Sequence, residues 1–227
     1  MNTAQRIQKI SEYFPIKKYL EIGVNTGTTF KSLDFELMVG VDPQFSFDYK
    51  NIENERTVFF QETSDQYFTN PRNKEIFDLI FLDGFHESKQ TFRDFINAIS
   101  HAHDKTIFII DDVYPNDVFS SLFNNPIGFR KLNNPLNNDT SWHGDVFKTI
   151  FLIHDLCPQY SYYTIDWPHG NPQTICFKRP RANFRPFFPS LEAIDRSTYF
   201  DLIGNLNILN LSSEQTTMEE VRKFMEK

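Results

Sequence analysis

Two short segments of this chain carry side chains suited to holding a cation and moving a proton. One reads Leu82-Asp83-Gly84-Phe85-His86, the other Ile110-Asp111-Asp112. Each closes an apolar run, Phe77–Leu82 and Thr106–Ile110, so each sits where a buried strand would end. Carboxylates packed together raise each other's pKa unless a cation compensates. Oxygen donors with positions left open for water or substrate suit Mg²⁺. A cation beside a hydroxyl lowers that hydroxyl's pKa, and an imidazole can then take the proton. Asp83, Asp111 and Asp112 are therefore candidate metal ligands. His86 is the candidate general base, with Asp83 beside it as a second catalytic candidate. Taken singly, each has a plainer reading: Asp112 could cap a helical turn, Asp83 could orient a cofactor amino group without a metal, and His86 could be a solvated loop residue.

A second constellation precedes these. The run Lys18–Ile22 leads into Glu21-Ile22-Gly23-Val24-Asn25-Thr26-Gly27, and Leu37–Val41 leads into Gly40-Val41-Asp42. Glycine permits a tight turn and close approach of backbone to a ligand, and a helix following the turn would offer unpaired N–H groups. An acidic residue ending the second strand, about 20 residues on, is placed to accept from ribose hydroxyls. Asn25 occupies the middle position of a dinucleotide G-x-G-x-x-G, so a pyrophosphate loop fits poorly. A ligand with a ribose and no diphosphate fits better, as S-adenosylmethionine does and NAD does not.

These residues need elements to hold them. Besides the four runs named, Thr57–Phe60 has the consecutive apolar character of a strand buried on both faces. Strands alternating with helical stretches imply βαβ units and a parallel sheet. A helix preceding Thr106 shows Phe92, Phe95, Ile96 and Ile99 on one stripe, with Arg93, Asp94 and Asn97 opposite. Another spans about Asp145 to Leu156. Tyr160–Ile165 and Gln173–Phe177, with Pro168-His169-Gly170-Asn171-Pro172 between them, read as an antiparallel hairpin closing the sheet. A short amphipathic helix is expected in the first 15 residues (Ile7, Ile10, Phe14) and a charged one over Met218–Lys227. The expected architecture is α/β: a Rossmann-like, mostly parallel seven-stranded sheet with helices on both faces. Residues 1–178 would form the cofactor-binding domain and 179–227 an extension packed on it.

The motifs resemble a known family. Glu21-x-Gly23-x-x-x-Gly27, Val41-Asp42-Pro43 and Thr63-Ser64-Asp65 look like class I S-adenosylmethionine-dependent methyltransferases, over about residues 16–178. The resemblance implies that Gly23, Asn25, Gly27 and Thr29 surround the methionine part of the cofactor, that Glu21 supports their loop, and that Asp42 holds the ribose. Thr63 and Ser64 would lie beside the adenine, although Glu62 stands where many relatives have glycine. Asp83 would serve cofactor and metal alike. Phe77 to His86 and Ile109-Ile110-Asp111-Asp112-Val113 resemble metal-dependent O-methyltransferases acting on sugar hydroxyls of macrolides and related glycans. That resemblance implies Mg²⁺ on Asp83, Asp111 and Asp112, with His86 as base. Trp142-His143-Gly144-Asp145-Val146-Phe147-Lys148 is similar to a segment of a bacterial group. It would either shape the acceptor pocket or start a helix, with Asp145 as its cap and Lys148 on the surface.

The expected function is thus Mg²⁺-assisted O-methylation of a sugar, glycan or small-molecule acceptor. The rivals are a metal-independent methyltransferase and a non-catalytic binding protein. Tyr114, Asn116 and Asp117 are candidates to touch the acceptor, with residues 114–141 either a lid or a disordered surface loop. Across 227 residues the net charge is −7, which argues against a nucleic-acid partner. The basic stretch Lys178, Arg179, Arg181 and Arg185 could meet an anionic acceptor, contact another copy in a homo-oligomer, or be a solvated face. The two cysteines, Cys157 and Cys176, have no metal-type spacing and fit a reducing cytoplasm. No run nears the roughly 20 apolar residues that span a bilayer, so no membrane insertion is expected. The 25 phenylalanines follow apolar patterns and read as core.

Overall fold

Strands whose odd and even positions are both apolar bury both faces, and this governs the architecture. The computed structural model describes residues 1–124, 126–166 and 172–226. In chain order the elements are α1 (Thr3–Ser11), β1 (Lys18–Ile22), β2 (Leu37–Val41), β3 (Thr57–Phe60), α2 (Ser64–Thr69), β4 (Phe77–Leu82), α3 (Ser88–Ile99), β5 (Ala102–Ile110), α4 (Pro126–Asn133), α5 (Phe147–Leu156), β6 (Ser161–Ile165), β7 (Thr174–Phe177), α6 (Leu191–Arg196), α7 (Tyr199–Gly204), β8 (Leu211–Ser212) and α8 (Glu214–Met225).

The strands form one sheet in the order β3-β2-β1-β4-β5-β7-β6-β8. Strands β1 to β5 are mutually parallel, whereas β7 runs antiparallel to both β5 and β6. The chain steps outward from β1 to β3 and returns to β4 on the other side of β1. This creates a topological switch point between the carboxyl ends of β1 and β4, where open α/β sheets bind ligands. The sheet has eight strands rather than the expected seven. The eighth, β8, comes from the C-terminal extension and pairs with β6 through Thr164↔Leu211 and Ile165↔Ser212. Of the turn expected at 168–172, residues 168–171 lie outside the described residues.

Leu20, Ile22, Ile80, Leu82, Phe108 and Ile110 face one layer, with Phe95 of α3 and Ile150 and Phe151 of α5 packed on them. Tyr19, Leu79, Phe81, Ile107 and Ile109 face the other, covered by Ile7 and Ile10 of α1 and by Met218, Val221 and Phe224 of α8. Buried Arg6 of α1 meets Glu214, the first residue of α8, at 2.7 Å, which ties the two ends of the chain together.

Two expectations are corrected. No α-helix follows Gly27, only a 3₁₀ turn at Phe30–Ser32. The sheet beside it is covered instead by aromatic rings: Phe59 lies 4.9 Å from Phe30, 5.3 Å from Phe45, 5.7 Å from Phe47 and 5.5 Å from Tyr49, centroid to centroid. Part of the phenylalanine excess thus does the work of a missing helix. Helix α3 is also rotated from the stripe that its apolar residues suggest. Its buried face is Ser88, Thr91, Asp94, Phe95 and Ala98, while Ile96 is exposed. Polar Asp94 points inward because a cavity, not core, lies beneath it.

Candidate active site

At the switch point β1 and β4 come so close that a Cβ on Gly23 would fall 1.9 Å from the Asp83 carbonyl oxygen. Gly23 also has φ +89°, so only glycine fits both demands. The turn continues through Asn25 at φ 46° and Gly27 at φ 72°. Asp42 holds it from β2: its Oδ2 accepts from Asn25 N–H at 2.8 Å, and its Oδ1 from Gln44 N–H at 2.7 Å.

This loop borders a cavity of about 550 Å³, within the usual range for a small-molecule site. Glu21, Gly23, Asn25, Thr29, Asp42, Thr63, Ser64, Asp83 and His86 all line it. Gly27 does not line it; the space a Cβ would take there is filled by Lys31 and Phe47. Thr63 lines the cavity while capping α2, its Oγ1 accepting from Gln66 N–H at 3.2 Å. Glu62 Oε1 is shielded from solvent with no partner. Gln90 and Asp94 of α3 also line the cavity, and reading the chain as a stripe missed them. Gln90 Nε2 donates to Asp94 Oδ1 at 2.9 Å and to Ser64 Oγ at 3.2 Å. The signal available was their i,i+4 spacing, which puts both on one helical face.

Of the candidates at the ends of β4 and β5, the structure brings Asp83, His86 and Asp112 together, one ligand atom from each lying within 4.8 Å of the others. Asp111 is not in that group. Its Oδ2 accepts from Gln173 Nε2 at 2.9 Å and its Oδ1 from Asp112 N–H at 2.9 Å. Gln173 Oε1 in turn accepts from Arg6, so the network joining the chain ends also braces Asp111. Asp112 has φ 59°, a left-handed conformation that turns its carboxylate away from that of its neighbour.

The electrostatics of this floor favour a cation. Burial, with Asp111, Asp112, Glu21 and Asp42 around it, holds the Asp83 carboxyl well above the ordinary carboxylate range. Burial and then Asp111 do the same to Asp112. Burial pushes Glu21 up to about 8, against the pull of a 2.6 Å hydrogen bond from the Tyr19 hydroxyl. Among the described residues the ion-pair partners of Asp112 are two imidazoles, His86 Nε2 at 3.0 Å and His143 Nε2 at 3.8 Å. Burial lowers the pKa of both, His143 to about 4. His86 Nδ1 is 2.8 Å from the Trp142 carbonyl oxygen. A carbonyl only accepts, so Nδ1 carries the hydrogen and the neutral ring presents a lone pair at Nε2. That nitrogen lies 3.0 Å from Asp112 Oδ2, so a proton on the raised Asp112 carboxyl satisfies the pair, and a cation would take that proton's place.

Within 114–141 the described residues meet around Arg130. This buried guanidinium donates to Asp117 Oδ2 at 2.8 Å and Oδ1 at 3.0 Å, and to the Asp139 carbonyl at 3.0 Å. Tyr114, Pro115, Asn116 and Tyr199 line a second cavity of about 360 Å³. Two residues of the basic stretch are used internally, Arg181 donating to the carbonyls of Tyr160, His154 and Cys157 and Arg179 pairing with Glu220 at 2.9 Å, whereas Lys178 makes an exposed pair with Asp104 and Arg185 is exposed. The Lys148 side chain is only 12% exposed, its Nζ pairing with Asp145 at 3.1 Å.

No protein-family model matches the sequence, and no curated protein matches it. Solved structures do resemble the fold. An O-methyltransferase from Bacillus cereus in complex with S-adenosylhomocysteine superposes with a TM-score of 0.54 at 16% identity, covering 79% of this chain and 82% of that one. The S-adenosylhomocysteine-bound Podospora anserina methyltransferase PaMTH1 gives 0.55 at 16% identity, over 79% and 80% of the two chains. The O-methyltransferase TomG from Streptomyces achromogenes, in complex with S-adenosylmethionine, gives 0.50 at 13% identity, over 79% and 81%. The chain has the class I methyltransferase fold. The expected Rossmann-like, mostly parallel architecture therefore holds, extended by β8. No helix among the described residues is long and apolar enough to cross a membrane.

Proposed function

We propose that this protein is an S-adenosylmethionine-dependent O-methyltransferase that uses a divalent cation, Mg²⁺, to methylate a hydroxyl of a sugar, glycan or other small acceptor. The observation that carries this reading is the meeting of Asp83, Asp112 and His86, one ligand atom of each within 4.8 Å of the others, with Asp83 and His86 lining the same cavity as the glycine turn. The donor set fits such a cation.

S-adenosylmethionine, when bound, supplies an electrophilic methyl group on a sulfonium. The cation supplies positive charge beside the acceptor oxygen. In this reading the 23–27 turn and Asp42 seat the cofactor, and Asp83 and Asp112 hold the cation. His86 accepts the hydroxyl proton at Nε2, the nitrogen left bare by the Trp142 hydrogen bond. The acceptor lies toward Tyr114, Asn116 and Tyr199, an amide and two phenols suited to a polar ring. The same set of distances supports a second reading, in which His86 Nε2 is the third cation ligand. Mn²⁺ titration of His86→Ala separates the two: affinity is retained if His86 is the base and falls if it is a ligand.

Residues 1–178 carry the reacting groups in this proposal, and 179–227 complete the same domain; β8 in the sheet and the Arg6–Glu214 pair support that. A reducing cytoplasm suits the buried, free Cys157 and Cys176. Partners are small molecules or glycans rather than nucleic acid, and self-association is a matter for sedimentation.

The test is calorimetry with S-adenosylhomocysteine, with and without Mg²⁺, followed by methyl-transfer assays on sugar nucleotides and glycosides. Binding is expected, with turnover suppressed by EDTA and restored by Mg²⁺. Turnover unaffected by EDTA would remove the cation from the proposal. Binding of NAD in place of S-adenosylhomocysteine would remove all of it.

A further inference from the structure

The segment Trp142-His143-Gly144-Asp145 grips residues 86–88 at three points. The Trp142 carbonyl accepts from His86 Nδ1 at 2.8 Å, and its indole lies over the imidazole with centroids 4.7 Å apart. Gly144, at φ 57°, presses so closely on the His86 backbone that a Cβ would fall 1.8 Å from the His86 carbonyl oxygen. Asp145 Oδ1 accepts from Ser88 N–H at 2.7 Å. Ser88 is the first residue of α3, whose N-cap Glu87 makes no side-chain cap bond. Asp145 therefore satisfies an orphan N–H of the neighbouring helix rather than of its own, α5, which begins at Phe147.

The grip is itself anchored. The Trp142 indole N–H donates to the Leu122 carbonyl at 2.8 Å. The N–H groups of His143 and Gly144 both donate to the carbonyl of buried Ser120, at 2.9 and 3.0 Å. Ser120 N–H donates to Asp117 Oδ1 at 2.6 Å, which joins it to the Arg130 clamp. A polar ring with one rigid acceptor on one nitrogen and an aromatic ring packed against it has its tautomer and its angle fixed together.

We propose that residues 142–145 are a positioning device that holds His86 as its Nδ1–H tautomer, with Nε2 aimed at Asp112. The chemical value of a bare Nε2 rests on the functional reading above; the geometry of the clamp does not. Trp142, Gly144 and Asp145 act only through His86 and the entry to α3.

The test uses the full chain, ¹⁵N-histidine labelled and saturated with S-adenosylhomocysteine, with His86→Gln to assign the His86 signals. The expected spectrum shows His86 with protonated Nδ1 and bare Nε2. Trp142→Leu should mix the tautomers and lower kcat by about 10- to 100-fold, while S-adenosylhomocysteine affinity and acceptor KM stay as they were. Trp142→Phe, which restores an aromatic ring against the imidazole, should recover much of both signals. A His86 carrying its hydrogen on Nε2 in the wild type overturns the proposal, and so does a Trp142→Leu protein with unchanged tautomer and kcat. If the tautomer follows the prediction but no acceptor is methylated by the wild type, the clamp stands and the methyltransferase reading falls.

Discussion

Strands β1–β3 and strands β4–β5 end along one edge of one sheet, yet the two halves of that edge are built differently. In the first half the working groups are largely backbone: a turn at Gly23, Asn25 and Gly27 with positive φ, tied by Asp42 and backed by rings around Phe59 instead of a helix. In the second they are side chains, Asp83, His86 and Asp112, with His86 held by the 142–145 segment and Asp112 next to Asp111, which the network reaching Arg6 braces. A backbone turn needs room and the right residue at a few positions. A set of side chains needs partners brought from far along the chain. Gly23 against the Asp83 carbonyl is where the halves touch.

Removing His86 should break the second half alone, with the largest effect. His86→Ala is expected to lower kcat by about 10²- to 10⁴-fold, with S-adenosylhomocysteine affinity unchanged by calorimetry. Normal turnover would end its role as base. Phe59→Ala attacks the first half. Truncating a buried phenylalanine costs about 3–5 kcal/mol, and Phe59 is 7% exposed with four ring neighbours. Urea unfolding should show that loss, and the cofactor should bind more weakly while Mn²⁺ affinity is retained. Equal losses at both sites would mean the halves are not separable. Smaller still is Asp42→Ala, which forfeits two loop hydrogen bonds. Orphaning such donors costs about 1–3 kcal/mol, so S-adenosylhomocysteine affinity should fall by roughly ten- to a hundredfold, with kcat at saturation little changed. An unaltered affinity would show that Asp42 neither shapes the turn nor touches the ligand.

What could be read from the chain follows the same division. The first four strands were legible to the residue, because a strand buried on both faces leaves an unbroken apolar run. The turn was legible because glycine and asparagine mark positive φ. Asp83 and Asp112 were named with His86 from the sequence, but the groups that hold and surround them were not. Asp94 looks polar and outward beside Arg93, and nothing local says that a cavity lies under α3. Asp111 and Asp112 are indistinguishable in type, yet the left-handed Asp112 sends one carboxylate to His86 and leaves the other with Gln173. The Trp142 carbonyl has no side-chain signature at all, since any residue carries one. Pairings over 56 residues, as from His86 to Trp142, are set by the fold.

The subtlest test is the stability of the ligand-free protein as pH rises. A carboxyl whose pKa is raised on folding keeps its proton in the folded state while the unfolded chain has lost it, so stability falls with pH between the two values. For Glu21 that window runs from 4.5 to about 8. For Asp94 it runs from 3.8 to about 6, and Asp83 and Asp112 shift the same way. His143 works in the opposite sense: lowered from 6.5 to about 4, it adds stability as pH rises between those values. Above pH 6.5 only the carboxyls act. Tm should therefore decline from about pH 6.5 to 8, by the equivalent of about 1–2 kcal/mol for Glu21, and less in Glu21→Gln, which keeps an acceptor for Tyr19. Saturating Mg²⁺ should flatten the part of the slope due to Asp83 and Asp112 and leave the Glu21 part. A Tm that is flat or rises over this range would mean that the floor of the site is already neutralised, and the charge argument for a cation in the second half would lose its footing.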